Sequence, residues 1–297
     1  MPPFLTACQG ARACYNAGME GKNKAWERSL PGLCAILCAW VLALFSAPIP
    51  GVAALAGAAA AVEARREDPT YLRLGIKLRE AEGPFCCGDI RGTAPEADEA
   101  EAALSLALEV LCEFPEGVFP AVSERADGLR LVICSELSYR GEPCPGLTLY
   151  EGGAAVLLDA GKTTRRLILH ELAHAAEAAL ELPDEQWERL CPEGFEYPHA
   201  FCDEYGRSLA VYGSPEYTAE AGADCWFINR YAKTSPAEDR AVLFETLMLA
   251  DAHAEYLHSP HIIMKYSVYF AALRASLGGA SWETPFWEEK LYRVLNG

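Results

Sequence analysis

Two histidines and a glutamate lie within five positions near the middle of this 297-residue chain, in the stretch RRLILHELAHAAEAALE at residues 165 to 181. His170 and His174 are four residues apart, so on a helix their side chains lie one turn apart and point the same way. Two imidazoles in that arrangement can bind one metal ion. Glu171 is displaced by about 100° around the helix, so it can reach a water on that ion but is not the obvious third ligand. This division of roles is typical of HExxH zinc hydrolases.

The helix that carries the motif is predicted to be buried, because apolar residues surround the motif on most sides. They are Leu167, Ile168, Leu169, Leu172, Ala173, Ala176 and Leu180. Burying two histidines and a glutamate without a metal would leave polar groups unsatisfied, at a cost on the order of a few kcal/mol. The sequence therefore favours a metal site over a chance arrangement of polar residues.

A catalytic zinc usually takes three protein ligands and leaves its fourth position to water, so a third ligand must come from elsewhere in the chain. Leu180 stands where some HExxH proteins carry a third histidine. The downstream candidates are His199, Asp203, Glu204, Glu216, Glu220, Glu238 and Glu245.

We favour Glu238 as the third ligand. A helix is predicted to begin at Pro236, and on it Glu238 belongs to an apolar, inward-facing stripe. Glu245 shares that face but lies about 10 Å further along the helix axis, so only one of the two carboxylates is expected to reach the ion. Another explanation of Glu238 stays open. Ser235 with a glutamate three residues later is also a capping box, which accounts for Glu238 without a metal.

The segment YAKTSPAEDRA at residues 231 to 241, taken together with HELAH, resembles a family of zinc metallopeptidases of the gluzincin type. That family is typified by the catalytic domain of anthrax lethal factor and by Mlc titration factor A, in which Y-x-x-T-[NS]-x-A-E follows the HExxH helix. The residues that fit this pattern are Tyr231, Thr234, Ser235, Ala237 and Glu238. The resemblance covers these two short segments and implies that Glu238 binds zinc and that Tyr231 supports the reaction intermediate.

The motif and the resemblance together predict a peptidase that acts on a peptide or protein substrate. His170, His174 and Glu238 would hold Zn²⁺, and Glu171 would act as general base. Asp239, or a backbone carbonyl, is expected to fix the imidazole tautomers. The strand AAVLLDA at residues 154 to 160 is expected to pair with an extended substrate, as the edge strand does in the peptidases that this chain resembles. The alternative is a non-catalytic module in which zinc only braces the fold, or a degenerate relative that binds peptides.

The order of the predicted elements indicates an α+β fold. Strands are predicted at residues 71–79, 128–137, 147–150 and 154–160, and a helix at residues 96–114. The HExxH helix follows the last strand, and the remaining predicted helices lie near residues 236–257, 262–277 and 284–294. Residues 183–235 are predicted to be irregular. Strands followed by helices favour a zincin-like small mixed sheet with a mainly helical C-terminal part over a repeating βαβ fold.

The first 62 residues resemble a secretory signal. Basic residues precede the apolar run LCAILCAWVLALF at residues 33–45, and small residues follow it. The run is 13 residues long, shorter than the roughly 20 that span a membrane, so we favour a cleaved signal near Ala56 or Ala58. An uncleaved signal anchor is the alternative, and residues 1–18 could be an overlong start. The catalytic domain is predicted to be residues 63–297, secreted or extracytoplasmic.

Charge and cysteine content narrow the function further. The chain has a net charge of -17 and no run rich in Lys or Arg, which argues against a nucleic-acid partner. Eight cysteines follow the signal-like segment: Cys86, Cys87, Cys112, Cys134, Cys144, Cys191, Cys202 and Cys225. In an exported domain they suggest disulfides. The alternative is buried free thiols in a reducing compartment.

Overall fold

A computed structural model describes residues 76–150, 153–198, 224–249 and 258–277, together with residues 286, 287, 289, 290 and 292. The signal-like segment and the first part of the predicted strand at 71–79 lie outside the described residues. Six residues named above also lie outside them: Cys202 and the candidate ligands His199, Asp203, Glu204, Glu216 and Glu220.

Seven strands and six α-helices make up the described fold. The strands are β1 (Ile76–Glu80), β2 (Phe85–Cys87), β3 (Ile90–Thr93), β4 (Leu129–Tyr139), β5 (Glu142–Pro143), β6 (Gly146–Leu149) and β7 (Ala154–Asp159). The helices are α1 (Ala97–Leu111), α2 (Val118–Arg125), α3 (Arg165–Glu177), α4 (Asp184–Glu188), α5 (Pro236–Met248) and α6 (Pro260–Leu277). Short 3₁₀ turns span Ala160–Lys162 and Tyr231–Lys233. Within the described residues, no helix combines the length and apolar character needed to cross a membrane.

The strands form one mixed sheet in the order β2, β3, β4, β7, β6. The long strand β4 organises this sheet. Its first half pairs in parallel with β1 and with β7, and its second half pairs antiparallel with β3 and with the short strand β5. Strand β6 runs antiparallel to β7 and lies at the end of the strand order. The expected α+β class is confirmed: a small mixed sheet precedes the HExxH helix, and the described chain after that helix is mainly helical.

One expectation about the sheet was wrong. We expected the strand at 154–160 to offer its edge to a substrate, but β7 is paired on both sides, by β4 and by β6. All six residues of β7 are buried. A fully buried run of this kind is typical of a central strand. The edge strand next to the HExxH helix is therefore β6.

Residue pattern and local capping explain the two helices that matter most for function. Thr164 caps α3, since its hydroxyl accepts a hydrogen bond from the Leu167 backbone N–H at 3.1 Å. Ten residues of α3 are buried, in line with its predicted apolar surface. Ser235 caps α5 in the same way, accepting from the Glu238 backbone N–H at 3.1 Å, and Pro236 stands in the first turn. Helix α5 is buried along nearly its whole length and packs against α3.

The described cysteines form no disulfide. Seven of the eight cysteines that follow the signal-like segment are free thiols, and Cys202 lies outside the described residues. Cys134 and Cys144 are buried in an apolar cluster together with side chains from strands β3, β4, β6 and β7. Burial raises the pKa of each thiol to about 12. These two cysteines therefore act as small apolar core residues, which agrees with the alternative prediction of buried free thiols.

Candidate metal centre

The two histidines of α3 converge on one point. Their side chains lie one helical turn apart, and the two Nε2 atoms are 3.1 Å from each other. Both residues are buried, with 2 % of His170 and 7 % of His174 exposed. Because each imidazole turns its Nε2 atom toward the other, the two rings form a hydrogen bond only when one of them carries its proton on Nε2. When both Nε2 lone pairs face inward, a cation between them is needed to satisfy the pair.

Glu238 completes the group from the first turn of α5. Its Oε2 atom lies 2.9 Å from the Nε2 atom of His170 and 3.4 Å from the Nε2 atom of His174. The carboxylate is buried together with the two histidines, and these three residues form a group that could hold a metal ion. The Ser235 cap and this contact are compatible, since the cap uses the backbone N–H of Glu238 while its side chain points toward the histidines. The capping alternative therefore does not replace the metal-binding one.

The distances in this group fit a small divalent cation. Donor atoms that bind one tetrahedral zinc ion at 2.0–2.2 Å lie roughly 3.3–3.6 Å apart. The three separations here, 2.9, 3.1 and 3.4 Å, differ from that range by a few tenths of an ångström or less. Two imidazole nitrogens and one carboxylate oxygen are also the ligand types that zinc takes in catalytic sites. The residues present therefore fit the ion that the sequence predicted.

The pKa shifts of the three residues indicate that the group stabilises positive charge. Burial raises the pKa of the Glu238 carboxyl, but the nearby charges and hydrogen bonds of His174 and His170 outweigh it and hold this pKa well below its usual value. Burial lowers the pKa of His170, but its hydrogen bonds to Glu238 and Glu245 raise it well above the usual value. The pKa of His174 is also raised, because the Glu238 charge outweighs burial. The carboxylates beside the two rings therefore favour positive charge at this point, whether it comes from a proton or from a metal ion.

The outer nitrogen of His170 is held by Glu245 rather than by Asp239. The Oε2 atom of Glu245 lies 3.2 Å from the Nδ1 atom of His170, and its Oε1 atom accepts a hydrogen bond from Arg166 at 2.8 Å. An Nδ1–H that donates to this carboxylate leaves the Nε2 lone pair of His170 free for a metal. Glu238 and Glu245, seven residues apart on α5, thus contact opposite sides of the same ring.

The expectation for Asp239 does not fit the structure. One carboxylate oxygen of Asp239 accepts hydrogen bonds from Trp187, Tyr197 and Lys265, at 2.9, 2.7 and 2.6 Å. Its side chain leaves the helix in a direction about 100° away from that of Glu238, so it contacts α4 and α6 instead of the imidazoles. The sequence contained a signal for Glu245, its place on the Glu238 face two turns later. We expected Glu245 only as a rival ligand, and its contact with the outer nitrogen of His170 was not predicted.

Glu171 lies beside the group and contacts the edge strand of the sheet. The Thr148 hydroxyl on β6 is 2.7 Å from the Glu171 Oε2 atom and 3.0 Å from its backbone carbonyl, so it can donate to either oxygen. Burial raises the pKa of Glu171, and the nearby charges of His174 and His170 counteract only part of this rise. Strand β6 approaches so closely that a Cβ at Gly146 would lie 3.0 Å from Glu171 Oε1. Glycine at this position therefore allows the contact between β6 and α3.

Tyr231 also lies next to the group, in the 3₁₀ turn that leads into α5. Its ring is buried, and the ring centroid is 5.9 Å from that of His170. The turn is held by two side chains. Asn229 accepts a hydrogen bond from the Ala232 backbone N–H at 2.8 Å, and Thr234 donates one to the Tyr231 carbonyl at 2.8 Å. The structure thus brings His170, Glu171, His174, Tyr231 and Glu238 together and places Asp239 apart from them.

Comparisons with known proteins add a distant likeness. No protein-family model matches the chain, and no curated protein matches it. A crystal structure from Bacteroides caccae, provisionally described as a zinc-binding metallo-peptidase, is 14 % identical and has a TM-score of 0.45. The likeness covers 76 % of this chain and 88 % of that one. A function for this chain is therefore inferred from the geometry of its own site.

Proposed function

We propose that this chain is a zinc-dependent peptidase that hydrolyses peptide bonds with an activated water. The observation that carries the proposal is the convergence of three buried donor atoms, two from α3 and one from α5, with Glu171 alongside. His170, His174 and Glu238 would hold the ion. When bound, Zn²⁺ lowers the pKa of a coordinated water from about 15.7 toward about 7 and polarises a substrate carbonyl.

Glu171 is suited to act as the general base. Its raised pKa means that the carboxylate holds a proton more readily than an exposed glutamate does. A base of this kind can take the proton of the attacking water and return it to the leaving amine. The hydrogen bond from Thr148 would fix the direction of the carboxylate during both transfers.

Tyr231 is suited to stabilise the negative charge that develops on the carbonyl oxygen. A phenol hydroxyl near the reacting carbonyl can donate a hydrogen bond that strengthens as this charge grows. The burial of Tyr231 beside His170 would favour this role, because water is kept away from the ring.

Strand β6 is the part of the sheet best placed to bind a substrate. It is the terminal strand of the described order, and its residue Thr148 contacts Glu171. An extended peptide could add to this edge through main-chain hydrogen bonds. Its scissile bond would then lie next to the general base. The substrate class we propose is accordingly an unfolded peptide or an extended segment of a protein.

Replacing Glu171 by Gln tests the proposal. The amide cannot take a proton from water, so we expect hydrolysis of a casein-type substrate to be lost while one zinc per chain is retained. The matched control is Glu109→Gln on α1, which should keep both activity and zinc. Equal activity in the Glu171→Gln variant would reject the mechanism.

The same measurement distinguishes the second candidate, a non-catalytic zinc-braced or peptide-binding module. A bracing site normally closes its fourth position with another Cys or His. In the part of the chain that the structure describes, the group holds only two histidines and one glutamate. Wild-type protein that holds zinc but hydrolyses no peptide would favour that module over the peptidase.

Export is a separate proposal that rests on the sequence of residues 1–62 alone. We propose a secreted or extracytoplasmic protein, released after cleavage near Ala56 or Ala58 or held by an uncleaved anchor. Sequencing the N-terminus of protein from a secreting host distinguishes these outcomes. An N-terminus at Met1 or Met19 on protein that stays in the cytoplasm would contradict export.

A further inference from the structure

Two charged residues follow Glu238 directly, and no step of the proposed reaction uses them. Asp239 and Arg240 are buried, with 1 % and 3 % of their surface exposed. Burying a charge is costly unless the charge is paired and hydrogen bonded. Both residues lie in the helix turn that carries the proposed third metal ligand, which suggests that their buried contacts hold this turn in position.

Asp239 ties this turn to α4 and α6. Lys265 of α6, which is fully buried, donates to Asp239 at 2.6 Å and to the Trp226 carbonyl at 2.8 Å. Trp187 of α4 donates to the same Asp239 oxygen. The carboxylate therefore receives directional hydrogen bonds from two separate helices.

Arg240 ties the same turn to α3. Its guanidinium donates two hydrogen bonds to Glu177, at 2.7 and 3.0 Å, and a third to Asp184 at 3.1 Å. Glu177 is the last residue of α3, three positions after the ligand His174. The guanidinium also lies over the Trp187 ring, 5.5 Å from its centroid. A bidentate contact of this kind restricts both distance and angle.

We infer that Asp239 and Arg240 are positioning residues for Glu238. Successive side chains of a helix diverge by about 100°, so Glu238, Asp239 and Arg240 leave the first turn of α5 in three directions. Glu238 reaches the histidines, and the other two fix the rotation of the turn and its distance from α3. The inference rests on the proposed zinc site, since its consequence is a lower zinc affinity when either tie is removed.

A paired apolar replacement separates positioning from stability. The double variant Arg240→Met with Glu177→Leu removes both charges of the bidentate pair. Such replacements of buried ion pairs are often neutral or stabilising. We expect zinc-free protein to unfold at a similar or higher temperature, while zinc affinity falls about tenfold, in the range seen when groups that orient metal ligands are changed. Zinc affinity is measured by competition with a chromophoric chelator.

Two further variants keep the test decisive. Arg240→Lys keeps the charge but loses the bidentate fork, so an intermediate loss of affinity is expected even if the double variant does not fold. Val122→Ala removes buried volume from α2, which carries no site residue. It should lower the unfolding temperature without changing zinc affinity by more than about twofold.

The outcomes separate this inference from the proposed function. Wild-type affinity in the folded double variant and in Arg240→Lys would overturn the positioning role of Arg240 and leave the zinc site intact. The Asp239 tie is tested in the same assay by Asp239→Asn, which keeps the shape of the side chain but removes its charge, and wild-type affinity in that variant would overturn the role of Asp239. Wild-type protein that binds no zinc would overturn both. An equal loss of affinity in Val122→Ala would show that general destabilisation, rather than Arg240, controls zinc binding.

Discussion

Replacing Glu245 by Gln tests the most specific feature of the site, the carboxylate behind His170. Glu245 is fully buried, and its two oxygens contact different partners, the His170 ring and the Arg166 guanidinium. Glutamine has nearly the same shape but no charge. Its single carbonyl oxygen can accept from only one of the two partners in the same geometry.

The expected magnitude follows from these contacts. A hydrogen bond to a charged group contributes about 1.5–3 kcal/mol, against about 0.5–1.5 kcal/mol for a neutral one. The loss at His170 is therefore about 1–2 kcal/mol, equivalent to a roughly five- to thirtyfold change in binding. Part of the interaction with Glu245 already exists in the zinc-free protein, which reduces the difference between the two states. We expect zinc affinity to fall about tenfold.

The assay is zinc competition with a chromophoric chelator at fixed pH, together with thermal unfolding of the zinc-free protein. Glu113→Gln is the matched control. Glu113, two residues past the end of α1, pairs with Arg165, the neighbour of Arg166 on α3, and it is half-buried. The same chemical change there should alter zinc affinity less than about twofold. Equal affinities in wild type and Glu245→Gln would refute the role of Glu245 in orienting His170.

Three other predictions concern activity and pH. Tyr231→Phe should lower kcat by about 10²–10³ with zinc content unchanged; unchanged kcat would remove the oxyanion role. Gly146→Ala would place a Cβ 2.9 Å from Leu167 Cδ1 and 3.0 Å from Glu171 Oε1. Because this displaces the general base, we expect kcat to drop about tenfold; a kcat equal to wild type would contradict the close approach of β6. Burial alone would lower the pKa of His170, but the two carboxylates beside it raise this pKa well above the usual value. The resulting stabilisation is present below about pH 6.5 and is lost as pH rises through the raised pKa. Zinc-free protein should therefore lose stability above about pH 6.5, and the increase in Tm caused by zinc should grow with pH, because zinc binds the deprotonated rings; an increase independent of pH would contradict this.

The elements predicted best are those with a strong local pattern. The helix predicted at 96–114 is observed at Ala97–Leu111, and the one at 262–277 is observed at Pro260–Leu277. The strand predicted at 128–137 is observed at Leu129–Tyr139. Five elements were not predicted: the short strands β2, β3 and β5, the eight-residue helix α2, and the five-residue helix α4, which lies in the segment 183–235 that was predicted to be irregular. Strands of three and four residues that contain Cys and Gly are too short for alternation to register.

The pair of histidines and the cap of α5 follow from sequence alone, because both depend on contacts within one or two helical turns. A spacing of four residues places His170 and His174 on one face wherever that helix packs. Ser235 accepts from the Glu238 backbone N–H for an equally local reason.

The remaining assignments depended on how distant segments pack. Glu238 and Glu245 contact His170 from 68 and 75 positions along the chain, and no local pattern indicates which nitrogen each carboxylate will meet. The same holds for the edge of the sheet, since β7 is a central strand only because β6 pairs with its second side. Asp239 differs from Glu238 by one position, and the 100° between successive side chains directs it to Lys265. Helical periodicity thus determined which groups share a face, and only the packing of α3, α5 and the sheet decided what each face contacts.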